Sequence, residues 1–414
     1  MNLILLLATA LTLRPMFVGD SITHQGRYLG YVRFFQALHE PERRVAMVNG
    51  GLCGDSAANA TERWERDVLK FPADEYFIML GMNDYRNYLY VDDKPTEKVK
   101  ADRAAALTRY HDKYASLCRQ AKATGKPVTL MTPSPQDVYS GPKPLYVGKN
   151  EIGLAACAEM VRDFAREHGF KLIELHRNMS DFLRAHHAEI AYSPDHCHPG
   201  REGGLLMAAE IVEQLGFAVP LADLRVTAKG DAVEFGYTPT ALPFPDVPEW
   251  RRLVAARPKT AALSREMLAV DGLVAADRYA LTADGREIGR FSGAALAKGV
   301  DLATLDTPSR RRTGEAIKTL YAIMDLDELI QNVHIIDVHY CRSGKEADLD
   351  RLLAGKQGES APFRQWAADW KAHRHEVPAL RAKLSGLIDD LYSKVQPVPY
   401  RLGVRNIGKD KEGK

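Results

Sequence analysis

Up to about residue 220 the chain alternates short apolar runs with longer stretches whose apolar residues recur every three or four positions. The runs predict strands at 12–18, 45–49, 76–80, 128–132 and 171–175. Between them, Tyr28, Tyr31, Val32, Phe35 and Leu38 mark one face of a helix, and Ala106, Tyr110, Tyr114, Leu117 and Ala121 mark another. Strands alternating with amphipathic helices mean a parallel sheet covered on both faces. The expectation is therefore an α/β protein: a three-layer α/β/α sandwich with a parallel five-stranded sheet over 1–220.

Beyond "LGFAVPLADL" the pattern changes. "LRVTAKGDAVEFGYTP" and "DRYALTADGREIGRFSG" read as short strands, the second pair joined by an Asp-Gly turn at Asp284 and Gly285. A long helix then opens with Thr307 as N-cap and Pro308 at its first position, burying Ile317, Leu320, Met324 and Ile330. A last helix is expected near 378–395, and the charged tail at 405–414 is expected to be disordered. Residues 221–414 thus form a C-terminal β/helical region. The apolar face of its long helix is too extensive to leave in water, so it should pack on the sheet domain.

Composition narrows the function classes. The 414 residues suffice for two or three units, and a formal charge of +2, from 56 basic and 54 acidic residues, leaves no basic footprint for nucleic acid. Cys53, Cys118, Cys157, Cys197 and Cys341 form no C-x-x-C pair, which argues against a zinc ribbon and a disulfide scaffold. The opening "MNLILLLATALTL" resembles a short export signal at 1–10, with Ala8 and Ala10 as an Ala-x-Ala, but lacks a basic start. A periplasmic or secreted protein is the expectation, a cytoplasmic one the alternative. No later run approaches the roughly 20 apolar residues of a membrane helix.

Gly-Asp-Ser occurs twice, in "FVGDSITHQG" and in "GGLCGDSAAN". A nucleophilic serine belongs on a tight turn between a strand's C-terminal end and a helix. Ser21 follows the buried strand end Met16, Phe17 and Val18 directly. Ser56 is separated from its strand by "GGLC" and stands where a helix begins, so it reads as an N-cap.

With "GDSI" near the start, a glycine after the second strand, "GMND" after the third and "DHCHP" before the domain's last helix, the first half of the chain resembles the SGNH (GDSL) hydrolases. The resemblance implies a flavodoxin-like fold and a serine esterase working through an acyl-enzyme without metal or other cofactor. It makes Ser21 the nucleophile, His198 its base and Asp195 the residue that orients the base. The oxyanion donors it implies are the backbone N–H groups of Ser21 and Gly54 and the side-chain amide of Asn83. At Gly54 a side chain would stand in a substrate's way. Pro199 and the family spacing favour His198 over His196 as base. A metal site built from His186, His187, Asp195, His196, Cys197 and His198 is disfavoured, because neighbours in a loop point apart. Cys53 and Cys197 flank site residues and are read as separate thiols.

The loop "NDYRNYLYVDDKP" offers Tyr85, Arg86 and Tyr88 as a surface for a sugar ring, against the plainer reading of tyrosines roofing the core. Asp84 is read as a loop-fixing acceptor, and "TPSPQDVYSGPKPLYVG" as a substrate wall on the same sheet edge. His334 and His339 are read as structural. The substrate expected is an acylated small molecule or polysaccharide, with a short-acyl ester on a carbohydrate preferred. The alternatives are a thioesterase or lysophospholipase of the same fold, and a non-catalytic carbohydrate-binding protein.

Overall fold

Five residues, Pro15–Gly19 (β1), are buried without exception, as a strand covered on both faces must be. In the computed structural model, which describes residues 13–141, 143–217, 220–341, 349 and 361–408, β1 is flanked by Val48–Gly51 (β2) and Glu75–Met79 (β3). Val128–Met131 (β4) and Lys171–Ile173 (β5) complete a five-stranded sheet of order β2-β1-β3-β4-β5, parallel throughout. The expected sandwich is present. Residues 1–10, read as an export segment, lie outside the described residues.

The one-turn helix Ser21–His24 (α1) leads into Arg27–His39 (α2). Ala57–Arg63 (α3), Glu97–Ala123 (α4) and Ala155–His168 (α5) pack as one layer, while His176–His186 (α6) and Arg201–Gln214 (α7) join α2 in the other. The order places the switch point beside β1, where the connection after β1 runs to one side and the next crosses to β3. In open α/β sheets ligands bind there, outside the strands' carboxyl ends.

The C-terminal region builds two small sheets. Ala222–Thr227 (β6), Glu266–Asp271 (β8) and Val300–Asp301 (β11) form one, in the order β11-β8-β6. Ala232–Tyr237 (β7), Arg278–Ala283 (β9), Arg286–Ser292 (β10) and Tyr400–Gly408 (β12) form the other, in the order β10-β9-β12-β7. Asp284 and Gly285 have φ of 49° and 78°, so the predicted Asp-Gly turn joins β9 and β10. Pro248–Ala256 (α8) and Gly293–Lys298 (α9) are short connecting helices.

Pro308–Ile336 (α10) starts as read: Thr307 Oγ accepts from the Arg310 amide, Pro308 is its first residue, and Ile317, Leu320, Met324 and Ile330 are buried. It packs against α2 and against two further helices, Ala361–His373 and Val377–Lys394. Gly30 makes the approach to α2 possible, since a Cβ there would lie 2.3 Å from Met324 Cε. One continuous apolar core joins Leu242, Phe244, Trp250, Ile317, Leu320, Ile323 and Leu391 to the sheet and its helices.

The expectation of a disordered tail at 405–414 fails for its first part. Residues 405–408 belong to β12, whose Leu402 and Val404 are buried between β7 and β9. The rest of the tail lies outside the described residues. A helix at Ala361–His373, beyond those expected from the sequence, precedes the last one. Among the described residues no helix is long and apolar enough to cross a membrane.

Candidate active site

The site begins with two glycines at paired strand ends. Gly19 closes β1 and pairs with Gly51 at the end of β2. A Cβ on Gly19 would lie 2.2 Å from Thr23 Oγ1, and one on Gly51 2.3 Å from the His24 backbone N. Together they let α1 lie directly on the strand ends. Gly19 is needed for this close approach rather than for an unusual backbone angle, because its φ is not positive.

Asp20 caps α1 by accepting from the Ile22 amide at 3.0 Å, and Ser21 becomes the first helical residue. Burial pushes the Asp20 carboxyl up to about 7, against that amide and the charge of His198. His24, one turn after Ser21, is also buried, which pushes its imidazole down to about 4 despite a hydrogen bond to Asn332.

Ser21 Oγ lies 2.8 Å from His198 Nε2, and His198 Nδ1 lies 2.6 Å from Asp195 Oδ2. The second oxygen of Asp195 accepts from the amides of Cys197 at 3.0 Å and His198 at 2.8 Å, and from Ser193 Oγ at 3.1 Å. Partial burial opposes its ionisation, but the bonds from His198 and Cys197 prevail and hold the carboxyl down at about 2. A carboxylate so held can accept from the imidazole without taking its proton. His196 faces elsewhere: its Nδ1 lies 2.9 Å from the Asp137 carbonyl oxygen, and its carbonyl accepts from the Asp137 amide.

Gly54 has φ of 80°, and nothing lies within 4 Å of where its Cβ would be. The left-handed backbone accounts for the glycine, and the open space leaves room for a substrate. Asn83 Nδ2 donates to the Asp55 carbonyl at 2.8 Å, which joins the loop after β3 to the loop after β2. The Asp55 carboxylate is buried against Arg63, whose Nε donates at 2.6 Å while Nη2 donates to the Gly50 carbonyl at 2.8 Å. Burial outweighs Arg63 and lifts the Asp55 carboxyl to about 6. Asp84 Oδ1 accepts from the Ala57 amide at 2.9 Å and is raised by burial to about 7, so it fixes the loop as read. Ser56 Oγ accepts from the Asn59 amide at 3.3 Å and caps α3.

The expected sugar surface needs correction. Tyr85 is fully buried, donating to Gln136 and packing its ring 5.5 Å from Tyr90, so it is a core residue with no face for a ligand. A Tyr at the start of an irregular loop carries no periodic signal of burial. Arg86 and Tyr88 are exposed, Tyr88 at 63%. In the long loop after β4, Ser134, Gln136, Asp137 and Val138 are buried as well, so its first half supports the site from beneath.

Cys53 and Cys197 are free thiols, and burial pushes Cys53 up to about 12. Among the described residues no group of three or more His, Cys, Asp or Glu is arranged to hold a metal ion. His334 packs edge-on to Phe71, and His339 Nε2 lies 3.4 Å from the Cys53 carbonyl oxygen.

Residues 17–204 match the GDSL-like Lipase/Acylhydrolase family. Over 225 residues the chain is 28% identical to an acetylxylan esterase of Geobacillus stearothermophilus, covering 49% of this chain and 93% of that protein. A crystal structure of an acetylxylan esterase from the same organism is 25% identical over 49% of this chain and 94% of that one, with a TM-score of 0.40. A solved gut microbial diltiazem-metabolizing enzyme is 20% identical, with a TM-score of 0.84 over 96% of this chain and 98% of that one. That likeness extends the shared fold through the C-terminal region.

Proposed function

We propose that this chain, whose residues 17–204 form a GDSL-like acylhydrolase domain acting on ester bonds, is a serine esterase that removes a short acyl group, acetyl foremost, from a carbohydrate. The observation that carries the reading is the continuous chain from Ser21 Oγ through the His198 ring to Asp195 at the carboxyl end of β1.

Ser21 Oγ attacks the acyl carbonyl carbon and gives its proton to His198 Nε2. The backbone amides of Ser21 and Gly54 and the remaining amide hydrogen of Asn83 receive the oxyanion. His198 then returns the proton to the departing alcohol oxygen, leaving the acyl group on Ser21. Water, deprotonated by His198, attacks this ester, and the carboxylic acid leaves as Ser21 recovers its proton. Asp195 keeps the proton on Nδ1 throughout. These residues supply nucleophile, base and charge stabilisation without a metal.

The carbohydrate and the acetyl group rest on the acetylxylan esterase relative, with the exposed Arg86 and Tyr88 as candidate contacts to the sugar. Initial rates on acetyl, butyryl and long-chain nitrophenyl esters, beside acetylated xylooligosaccharides, test the reading. Fastest turnover of acetyl esters, with acetate released from the oligosaccharides, is expected. A preference for long chains or thioesters would make it a lysophospholipase or thioesterase, and oligosaccharide binding without any turnover would make it a binding protein.

A further inference from the structure

The helix that carries Ser21 is a single turn, and a single turn cannot hold its own position, because fixing its backbone dihedrals costs more than its one or two hydrogen bonds return. Its N-terminal end is set by Asp20 and the strand. Its C-terminal end leans on a polar network whose other half comes from α10, roughly three hundred residues along the chain.

Three α10 residues build that half. Asp327 Oδ2 accepts from Asn49 Nδ2 at 3.1 Å, and the same Nδ2 donates to the His24 carbonyl at 3.1 Å. Gln331 Nε2 donates to the Asn49 carbonyl at 3.0 Å. Asn332 Oδ1 lies 3.2 Å from His24 Nε2, while its Nδ2 donates to Asp369 Oδ2 at 2.9 Å. Gln365 holds the second oxygen of Asp369 at 2.9 Å. The donors and acceptors fall in one direction: His24 Nε2–H to the Asn332 oxygen, Asn332 nitrogen to Asp369. His24 is 2% exposed and Asn332 8%, so water offers neither a ready substitute.

The same helix end also meets the oxyanion loop. Leu52 is buried in a cluster with Ile335, Ile336, Val338 and Phe363, with Cys53 packed at its margin. Nucleophile turn and oxyanion loop thus rest on one support.

We propose that Asn332 is a positioning residue of the esterase: through His24 it sets the height of the Ser21 turn so that Oγ meets both His198 and the carbonyl to be attacked. The proposal rests on Ser21 being the nucleophile. A displacement of about 1 Å in such a group costs on the order of 100-fold in rate.

The test is a set of full-length variants assayed on nitrophenyl acetate, with rates expressed per serine titratable by a fluorophosphonate and melting curves alongside. Asn332→Ala removes the link and should lower kcat by about 10- to 100-fold with KM changed less than about twofold. Asn332→Asp should fall likewise, because it sets two carboxylates side by side. Exchanging the pair, Asn332→Asp with Asp369→Asn, restores an acceptor for His24 and a donor between the two positions at unchanged charge, and should return kcat to within about threefold of the parent. The rescue separates positioning from mere stability, and it remains readable if Asn332→Ala does not fold. A kcat unaffected in Asn332→Ala, or a folded exchange variant that stays as slow as Asn332→Asp, would overturn the proposal. Activity surviving in Ser21→Ala would instead overturn the assignment of the nucleophile.

Discussion

The Asn83 amide has two hydrogens, and one is already donated to the Asp55 carbonyl. That bond fixes the plane of the amide before any substrate arrives, which is the condition for a useful oxyanion donor. Asn83→Ala should lower kcat by roughly 100- to 1000-fold with little change in KM, and a kcat within a few-fold of the parent would remove it from the mechanism. The neighbouring Asp84 gives a prediction in pH. Burial holds its carboxyl at about 7, well above the ordinary carboxylate value of 3.8, so it stays protonated in the fold where the unfolded chain has already ionised. Its contribution is whole below about pH 4 and is lost as pH rises to about 7. Asp84→Asn cannot ionise, so its melting temperature should gain on the parent's between pH 4 and 7 and run parallel above. A difference independent of pH would contradict the burial argument. That Ser21, His198 and Asp195 come together is legible from their motif order along the chain. The burial of Tyr85 is not, because an aromatic in an aperiodic loop looks the same whether it roofs the core or faces a ligand.

At the scale of elements, the long periodic helices α4 and α10 were readable because their apolar spacing and caps are local properties. The strand β12 was not. Its inward residues amount to Tyr400, Leu402 and Val404, set among arginines and glycines, and its partners Phe235 and Leu281 come from far earlier in the chain. Two apolar alternations beside a charged tail resemble the start of disorder until those partners are known. Yet β12 is an interior strand, with β9 on one side and β7 on the other. Ending the chain at residue 399 should therefore unpair both neighbours and expose Tyr237, Tyr279 and Leu281, which share a buried cluster with Leu402 and Val404. A melting temperature several degrees lower, or a lost cooperative transition, is expected. An unaltered transition would show that the sheet does not need the strand.

For the whole molecule, the change of pattern near residue 220 marks a change of architecture across which one core continues. Phe244 packs its ring 5.4 Å from Phe34 and 4.9 Å from Phe35, and Met324 fills the space over Gly30. The acetylxylan esterase relative is matched over 93% of its length by 49% of this chain, and in this chain α10 packs on α2. A fragment ending at Leu221 should show no cooperative melting and no turnover even of nitrophenyl acetate, because it bares α2 and removes the support of the Ser21 turn. A folded, fully active fragment would contradict this. The proposed mechanism requires that Ser21, and not Ser56, be the nucleophile activated by His198. Peptide mapping by mass spectrometry after reaction with a fluorophosphonate measures it most directly. One adduct per chain on Ser21 is expected, unchanged in Ser56→Ala and absent in His198→Ala. Labelling of Ser56, or labelling of Ser21 undiminished without His198, would contradict it.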